Sequence, residues 1–449
     1  MKKQIFTLFV LVSSAVLTSC GGSSKTTTFT TKTLPLYINT KDKNCDIEVT
    51  YVNDDTSIPF ISFKEAAKLV MAFNSTYIKD IGFKLTVSET DDYSMLLREN
   101  KAGLTVDYKS KHLLISNYDQ LVQMSFASNP LDILGASYID ANGTGNYVKR
   151  LDNPECSYRV GAPISLDLGK YNIPLYKGYL PLQTVADFLV SCDNGALSCN
   201  NQSLIISSGK LSKDLADIYY SAPTGERSQS LIDFNYNEAC LFLDSFYGLK
   251  SEHGIDSFNT FLSQTGLTND LCGDDMVAST NAIIKLVNGY FSDLHSGFLN
   301  PSFYLENKSS IDANAFRGAS IKNFIKNYST LATYRMIHYP NGVPCYEEVG
   351  DTAYVTFDHF EMNKSDYYTT EPTISANDSV GVIGYAMSQI NRANSPINKV
   401  VLDLSLNLGG DADAAIYTIS CVDTMELMVL GEVDARKLTR RTFDFKVYF

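Results

Sequence analysis

Apolar and polar positions follow several rhythms along this chain, and each predicts a different kind of element. Ile5 to Leu17 is almost continuously apolar, broken only by Thr7, Ser13 and Ser14. A helix needs about 20 apolar residues to span a bilayer, so this shorter run behind Lys2 and Lys3 predicts a removable leader. Gly21 to Thr33 (GGSSKTTTFTTKT) offers little to pack and predicts a flexible stalk. From residue 34 to about 215 the pattern strand, short helix, strand, polar turn, strand occurs twice. Its first copy is Ile58–Ser62, Phe63–Val70, Leu104–Tyr108, Lys109–Lys111 and His112–Ser116. Its second is Tyr179–Leu182, Gln183–Val190, Ala196–Ser198, Asn200–Gln202 and Ser203–Ser207.

Beyond about 216 the period lengthens to that of helices. Asn235–Leu249, Ser257–Leu267 and Asp275–Leu294 carry apolar residues three and four apart. In the last of these Met276, Ile283, Leu286, Val287, Tyr290, Phe291 and Leu294 fall on one face, and Asp274 or Asp275 can cap its start. A strand at Thr352–Phe357 exits through Asp358-His359-Phe360. A helix at Asp378–Asn391 follows, with Asp378 as its cap, and then the apolar run Lys399–Leu404, of the kind found in strands covered on both faces. That run ends in Asn407-Leu408-Gly409-Gly410 and opens a helix from Asp411, the order of a βαβ unit. The fold class is therefore α/β and multi-domain, with α+β modules ahead of an α/β domain. The expected divisions are a leader at 1–19, a stalk at 20–33, modules at 34–150 and 151–215, and a larger domain at 216–449.

Composition narrows the functions available. An apolar share of 44% is enough for sizeable cores. A net charge of −13 and a pI near 4.9, with no basic stripe, exclude a nucleic-acid partner. Five scattered histidines, no CxxC and no HExxH imply neither a metal nor a cofactor. Asn142–Asn146 (NGTGN) lacks the third glycine and the Lys-Ser/Thr of a phosphate loop, so it reads as a surface turn. Of the nine cysteines, Cys192 and Cys199 flank the turn signal Asp193-Asn194-Gly195 and are the favoured disulfide pair.

Leu17-Thr18-Ser19-Cys20 closes the leader with an aliphatic residue, two small residues and a cysteine. It resembles the lipobox of bacterial lipoproteins. The resemblance implies acylation of Cys20, an extracytoplasmic location and attachment to the cell membrane through lipid. The two α+β units resemble the small module named after the N-terminal domain of copper amine oxidases. No histidine cluster accompanies them, so copper is not implied, and they read as spacers or binding modules.

The Gly409-Gly410 turn carries the candidate chemistry. Without Cβ atoms the backbone can turn sharply and approach a ligand, while the free N–H groups of the following helix start can face an anion. Such amides can hold a developing oxyanion in acyl transfer. VVLDLSLNLGG resembles the strand-turn of the tail-specific, or C-terminal-processing, serine peptidases, with Asp403, Asn407, Gly409 and Gly410 in place and Ser405 where that pattern has arginine. DTAYVTFDHF and Asp293-Leu294-His295-Ser296 are similar to two further motifs of that family, in the family's order, over roughly 230 to 422. No PDZ domain is recognised.

The resemblance implies hydrolysis of peptide bonds in exported polypeptides. The Gly409 or Gly410 amide would contribute to the oxyanion hole, His295 would act as general base or cap its helix, and Asp293 would anchor that segment. His359 is a second candidate base. His112, His253 and His338 read as structural, and Asp403 as a hydrogen-bonded core acid. In the family the nucleophilic serine lies several dozen residues past the glycines. No serine follows Ser420 here, so the expectation is a C-terminally truncated catalytic domain, with Ser296 and Ser405 as substitute candidates. The partner would be a peptide or protein substrate. The rival expectation is an inactive peptide- or glycan-binding surface lipoprotein on the same scaffold.

Overall fold

A computed structural model describes residues 27–79, 82–98, 102–116, 121, 137–139, 147–149, 164–191, 195–222, 226–305, 308–364, 367, 373–422, 428–434 and 439–444. The leader, Cys20, Cys192 and the 142–146 turn lie outside these residues. The architecture is α/β in the broad sense, 37% helical and 26% strand, with several sheets.

The first body opens with three strands, β1 (Phe29–Ile38), β2 (Lys43–Val52) and β3 (Asp55–Ser62), which pair as an antiparallel meander. The first strand begins at Phe29, inside the tract expected to be a stalk. Its Thr-rich start is exposed but pairs in register with β2, Phe29 opposite Val52, and the Phe29 ring stacks on Tyr179 at 5.1 Å. Threonine and phenylalanine suit a half-buried pleated strand, and here the pairing overrides the tract's loop-like composition. Ser62 then caps α1 (Phe63–Phe73), its Oγ accepting from the Glu65 amide at 3.2 Å. Next come β4 (Leu85–Glu89), β5 (Tyr93–Arg98), β6 (Ala102–Asp107) and β7 (His112–Ile115), an antiparallel run.

A small hairpin follows, β8 (Ser137–Ile139) with β9 (Tyr147–Lys149). After it, β10 (Ile164–Asp167) joins β7. The chain continues as β11 (Tyr179–Pro181), α2 (Leu182–Leu189), β12 (Gly195–Cys199) and β13 (Leu204–Ser208). Strands from the two sequence units interleave. One six-stranded sheet runs β11-β3-β2-β1-β13-β12, with β13 parallel to β1, and a five-stranded sheet runs β10-β7-β6-β5-β4. Leu36, Ile47, Leu69, Phe73, Leu104 and Phe188 belong to a single apolar core fed by both sheets and both helices.

A helical layer leans on this core. It comprises α3 (Lys213–Tyr219), α4 (Gln229–Phe246), α5 (Phe258–Gln264), α6 (Leu267–Leu271) and α7 (Met276–Lys285), which runs into a wider turn at Leu286–Phe291. Asp275 caps α7, accepting from the Val277 amide at 2.8 Å. The apolar stripe of α4 faces two ways: Leu231, Phe234 and Leu241 enter the double-sheet core, while Cys240 joins Phe258, Leu262 and Phe291 in a core of its own. Ile283 and Leu294, expected on the buried face of α7, are 42% and 55% exposed. Leu286 and Phe291 of the wider turn stay buried, and Leu294 leaves the stripe after the left-handed Ser292 ends that turn; nothing in the structure explains the exposure of Ile283 within α7.

The third body consists of α8 (Ala319–His338), β14 (Tyr346–Val349), β15 (Thr352–Thr356), α9 (Ser379–Ile390), β16 (Lys399–Asp403) and α10 (Ala412–Val422). A last hairpin pairs β17 (Met428–Asp434) with β18 (Thr439–Asp444). β15 and β16 are parallel with α9 between them in sequence, the expected βαβ unit, and Val355, Val382, Ile383 and Cys421 form its core. The apolar run 399–404 is not covered on both faces. It is the edge strand of a three-stranded sheet, and Val400 and Val401 are 42% and 41% exposed.

Candidate functional site

Parallel β15 and β16 deliver their C-terminal ends to one corner, the usual place for ligands in a sheet of this kind. Thr356 stands opposite Asp403, and the two segments stay together past the strands. The Leu408 amide donates to the Asp358 carbonyl at 3.1 Å, Phe360 N–H to the Gly409 carbonyl at 3.0 Å, and Asp411 N–H to the Phe360 carbonyl at 2.7 Å. Asn407 pins the turn from inside, with Nδ2 donating to the Phe357 carbonyl at 3.3 Å and Oδ1 accepting from the Gly409 amide at 2.8 Å. Two motifs some fifty residues apart in sequence thus form a single ladder.

The two glycines differ in what the backbone demands of them. Gly409 has φ +95° with open space where a Cβ would point, so only its handedness requires glycine. Gly410 has φ +140°, and a Cβ there would lie 2.2 Å from the Phe360 carbonyl oxygen, so no side chain fits. Their amides differ too. Gly409 N–H is held by Asn407, whereas Gly410 is exposed and its N–H has no hydrogen-bond acceptor among the described residues. Gly410 is therefore the residue whose amide is open to a ligand, two residues ahead of α10.

A guanidinium occupies this corner although Ser405 stands where an arginine was expected. It comes from Arg335 near the end of α8. Nη1 meets Asp358 Oδ1 at 2.5 Å, and Nη2 meets Asp403 Oδ2 and Ser405 Oγ, each at 3.3 Å. Partial burial opposes ionisation of Asp403, but hydrogen bonds from Ser405 and the charge of Arg335 leave its carboxyl below the usual range.

The Asp293–Ser296 segment is ordered by its own aspartate. Asp293 Oδ1 accepts from the His295 and Ser296 amides at 2.8 and 2.7 Å, and Oδ2 accepts from Ser296 Oγ at 2.7 Å. The anchoring role expected of Asp293 is thus directed to the backbone. The imidazole of His295 is exposed and makes no hydrogen bond among the described residues, neither with Asp293 nor with a helix-end carbonyl. No hydrogen bond or ion pair among the described residues joins 293–296 to the Gly409-Gly410 corner. His359 is exposed beside the corner, His112 Nδ1 lies 2.9 Å from the Ser110 carbonyl, and the His253 ring stacks on Tyr247.

No family profile, curated protein or solved structure matches this chain. Among the described residues, no helix is long and apolar enough to cross a membrane, and no three His, Cys, Asp or Glu side chains gather as metal ligands. The Cys199 thiol is free and points to Asn201 Oδ1 at 3.8 Å; Cys192, its expected partner, lies outside the described residues. β12 places Cys199 in a strand paired with Leu204.

Sequence reasoning missed Arg335 because α8 has no clear apolar stripe: Ile321 is its one buried residue, and Leu331, Tyr334, Met336 and Ile337 are exposed. It also missed an acid pair, half-buried Asp187 and buried Glu238. The available signal was an acid within each otherwise apolar helical stretch, VADFL and NEACLFL.

Proposed function

We propose that this chain is a lipid-anchored bacterial surface protein of the tail-specific serine peptidase type, acting on exported polypeptides at the Gly409-Gly410 corner. The observation that carries the proposal is the convergence of the DTAYVTFDHF and VVLDLSLNLGG motifs into one ladder that leaves Gly410 N–H outward and unbonded. A substrate carbonyl oxygen placed there would meet a fixed amide and the start of α10, an arrangement that favours negative charge on that oxygen. Lipid attachment at Cys20 rests on the lipobox resemblance.

Acyl transfer also needs a nucleophile with a base. Ser405 Oγ accepts from Arg335, and Ser296 Oγ donates to Asp293, so neither is poised against a histidine or lysine. That observation favours a second reading, in which the same corner binds extended peptide without cleaving it.

The full chain, expressed with its leader, tests both. Under the first reading a fluorophosphonate probe labels one serine and an unstructured polypeptide is cleaved, with His295→Ala abolishing labelling if His295 is the base. Peptide binding with neither labelling nor cleavage transfers the assignment to the second reading; no binding, labelling or cleavage removes both. Mass spectrometry of the membrane fraction should find a diacylglyceryl group on Cys20, and Cys20→Ser should release the protein.

A further inference from the structure

Away from the glycine corner, a cavity of about 620 Å³ lies between the double-sheet core and the helical layer. Its walls are mainly apolar, with Phe234 and Phe242 from α4, Leu286 and Phe291 beyond α7, and Phe303. One wall carries an acid, Asp187 of α2. Near it, on α4, Glu238 is 1% exposed and has the Thr184 hydroxyl beside it, but neither of its carboxyl oxygens has a well-formed hydrogen bond among the described residues. Burial pushes both carboxyls up, and for Glu238 the charge of Asp187 adds to the effect.

A carboxyl buried near a second acid and without a cation is costly, and each unsatisfied buried group calls for a reason. The cavity's own cation does not supply one. Arg227 lines it too, but its Nη2 donates to the Gly273 carbonyl at 2.8 Å, and no ion pair joins it to Asp187 or Glu238 among the described residues. The chemistry that would satisfy the pair is an external group with several N–H donors and positive charge, attached to an apolar body of a size these walls can enclose.

We propose that this cavity binds an amphipathic primary amine, its ammonium donating to Asp187 with Glu238 behind it and its hydrocarbon against the phenyl and leucyl walls. The inference does not depend on the peptidase reading, because no residue of the glycine corner lines the cavity.

Calorimetry and thermal shift on the full chain with octylamine, octanol and octanoate test it. Octylamine should bind at least tenfold more tightly than octanol and raise the melting temperature. Asp187→Asn and Glu238→Gln should each bring octylamine down to the level of octanol and leave octanol unchanged. Equal binding of amine and alcohol, tighter binding of octanoate, or amine binding untouched by Asp187→Asn would overturn the proposal. Ala239→Leu, which fills the cavity from α4 without touching the acids, should weaken amine and alcohol alike; unaltered binding in that variant would also overturn it.

Discussion

Arg335 Nη1 lies 2.5 Å from Asp358 Oδ1 while its Nη2 lies 3.3 Å from Asp403 Oδ2, so one guanidinium from α8 ties together the ends of two parallel strands. The arginine side chain is 14% exposed but Asp358 is 45% exposed, which places the cluster between a surface pair and a buried one. Arg335→Met should therefore cost about 1 kcal/mol in urea unfolding. It should also speed amide exchange at 403–411. Arg335→Lys should not restore the loss, because a single ammonium cannot span three acceptors. Unchanged exchange in both variants would show that the guanidinium is not what holds the corner.

The glycines should separate cleanly. Gly409→Ala meets only an unfavourable φ and should cost about 1 kcal/mol. Gly410→Ala also drives a Cβ into the Phe360 carbonyl and should cost roughly 3 kcal/mol, with loss of the Phe360–Gly410 bridge. Comparable stabilities for the two variants in denaturant melts would contradict this geometry.

Asp378 is 2% exposed and caps α9, its Oδ1 accepting from the Gly381 amide at 3.0 Å and from Tyr367 Oη at 2.7 Å. Asp378→Ala removes the cap and leaves the Tyr367 hydroxyl without its acceptor, so a loss of about 2 kcal/mol is expected. Tyr367→Phe, measured alongside, should lose less, since the cap to Gly381 survives.

The acid pair predicts a pH dependence of stability. Burial raises the folded-state value of Asp187 to about 7, from an ordinary 3.8, and that of Glu238 moves the same way. Raised values mean that the folded state holds protons which the unfolded chain releases. Their contribution is fully present below about pH 4 and is lost as pH rises through about 7. Melting temperature should fall across this window in the wild type and fall less steeply in Asp187→Asn. At pH 7.5 that variant should melt higher, by on the order of 2–4 °C for each kcal/mol recovered. Parallel pH profiles for the two proteins would mean that the pair does not titrate as described.

Cys199 should react as a free thiol. Burial pushes it up to about 11, so alkylation should be slow in the native protein and complete after unfolding without reductant. Any disulfide-linked Cys199 peptide in a non-reducing digest would contradict the structure.

Local elements were legible wherever a short-range signal decided them. Asp275 and Asp378 each cap the helix they precede, because an acceptor side chain beside free amides needs no distant partner. The βαβ order around α9 followed from period and length. Coverage of β16 was not legible, since an apolar run reports what a strand could bury and not what packs against it. The same holds for α8, whose apolar residues lack a common face and whose one decisive side chain, Arg335, acts across the fold.

The sequence by itself determined the α/β class, the helix caps and the glycine turn, because these depend on residues within a few positions of one another. Tertiary structure alone decided that strands of the two early units would share a sheet, that Gly410 and not Gly409 would keep a free amide, and that Asp187 would meet Glu238. Each of those outcomes depends on segments brought together from tens of residues apart, and no local period encodes which partner a strand edge, an amide or a buried carboxyl will find.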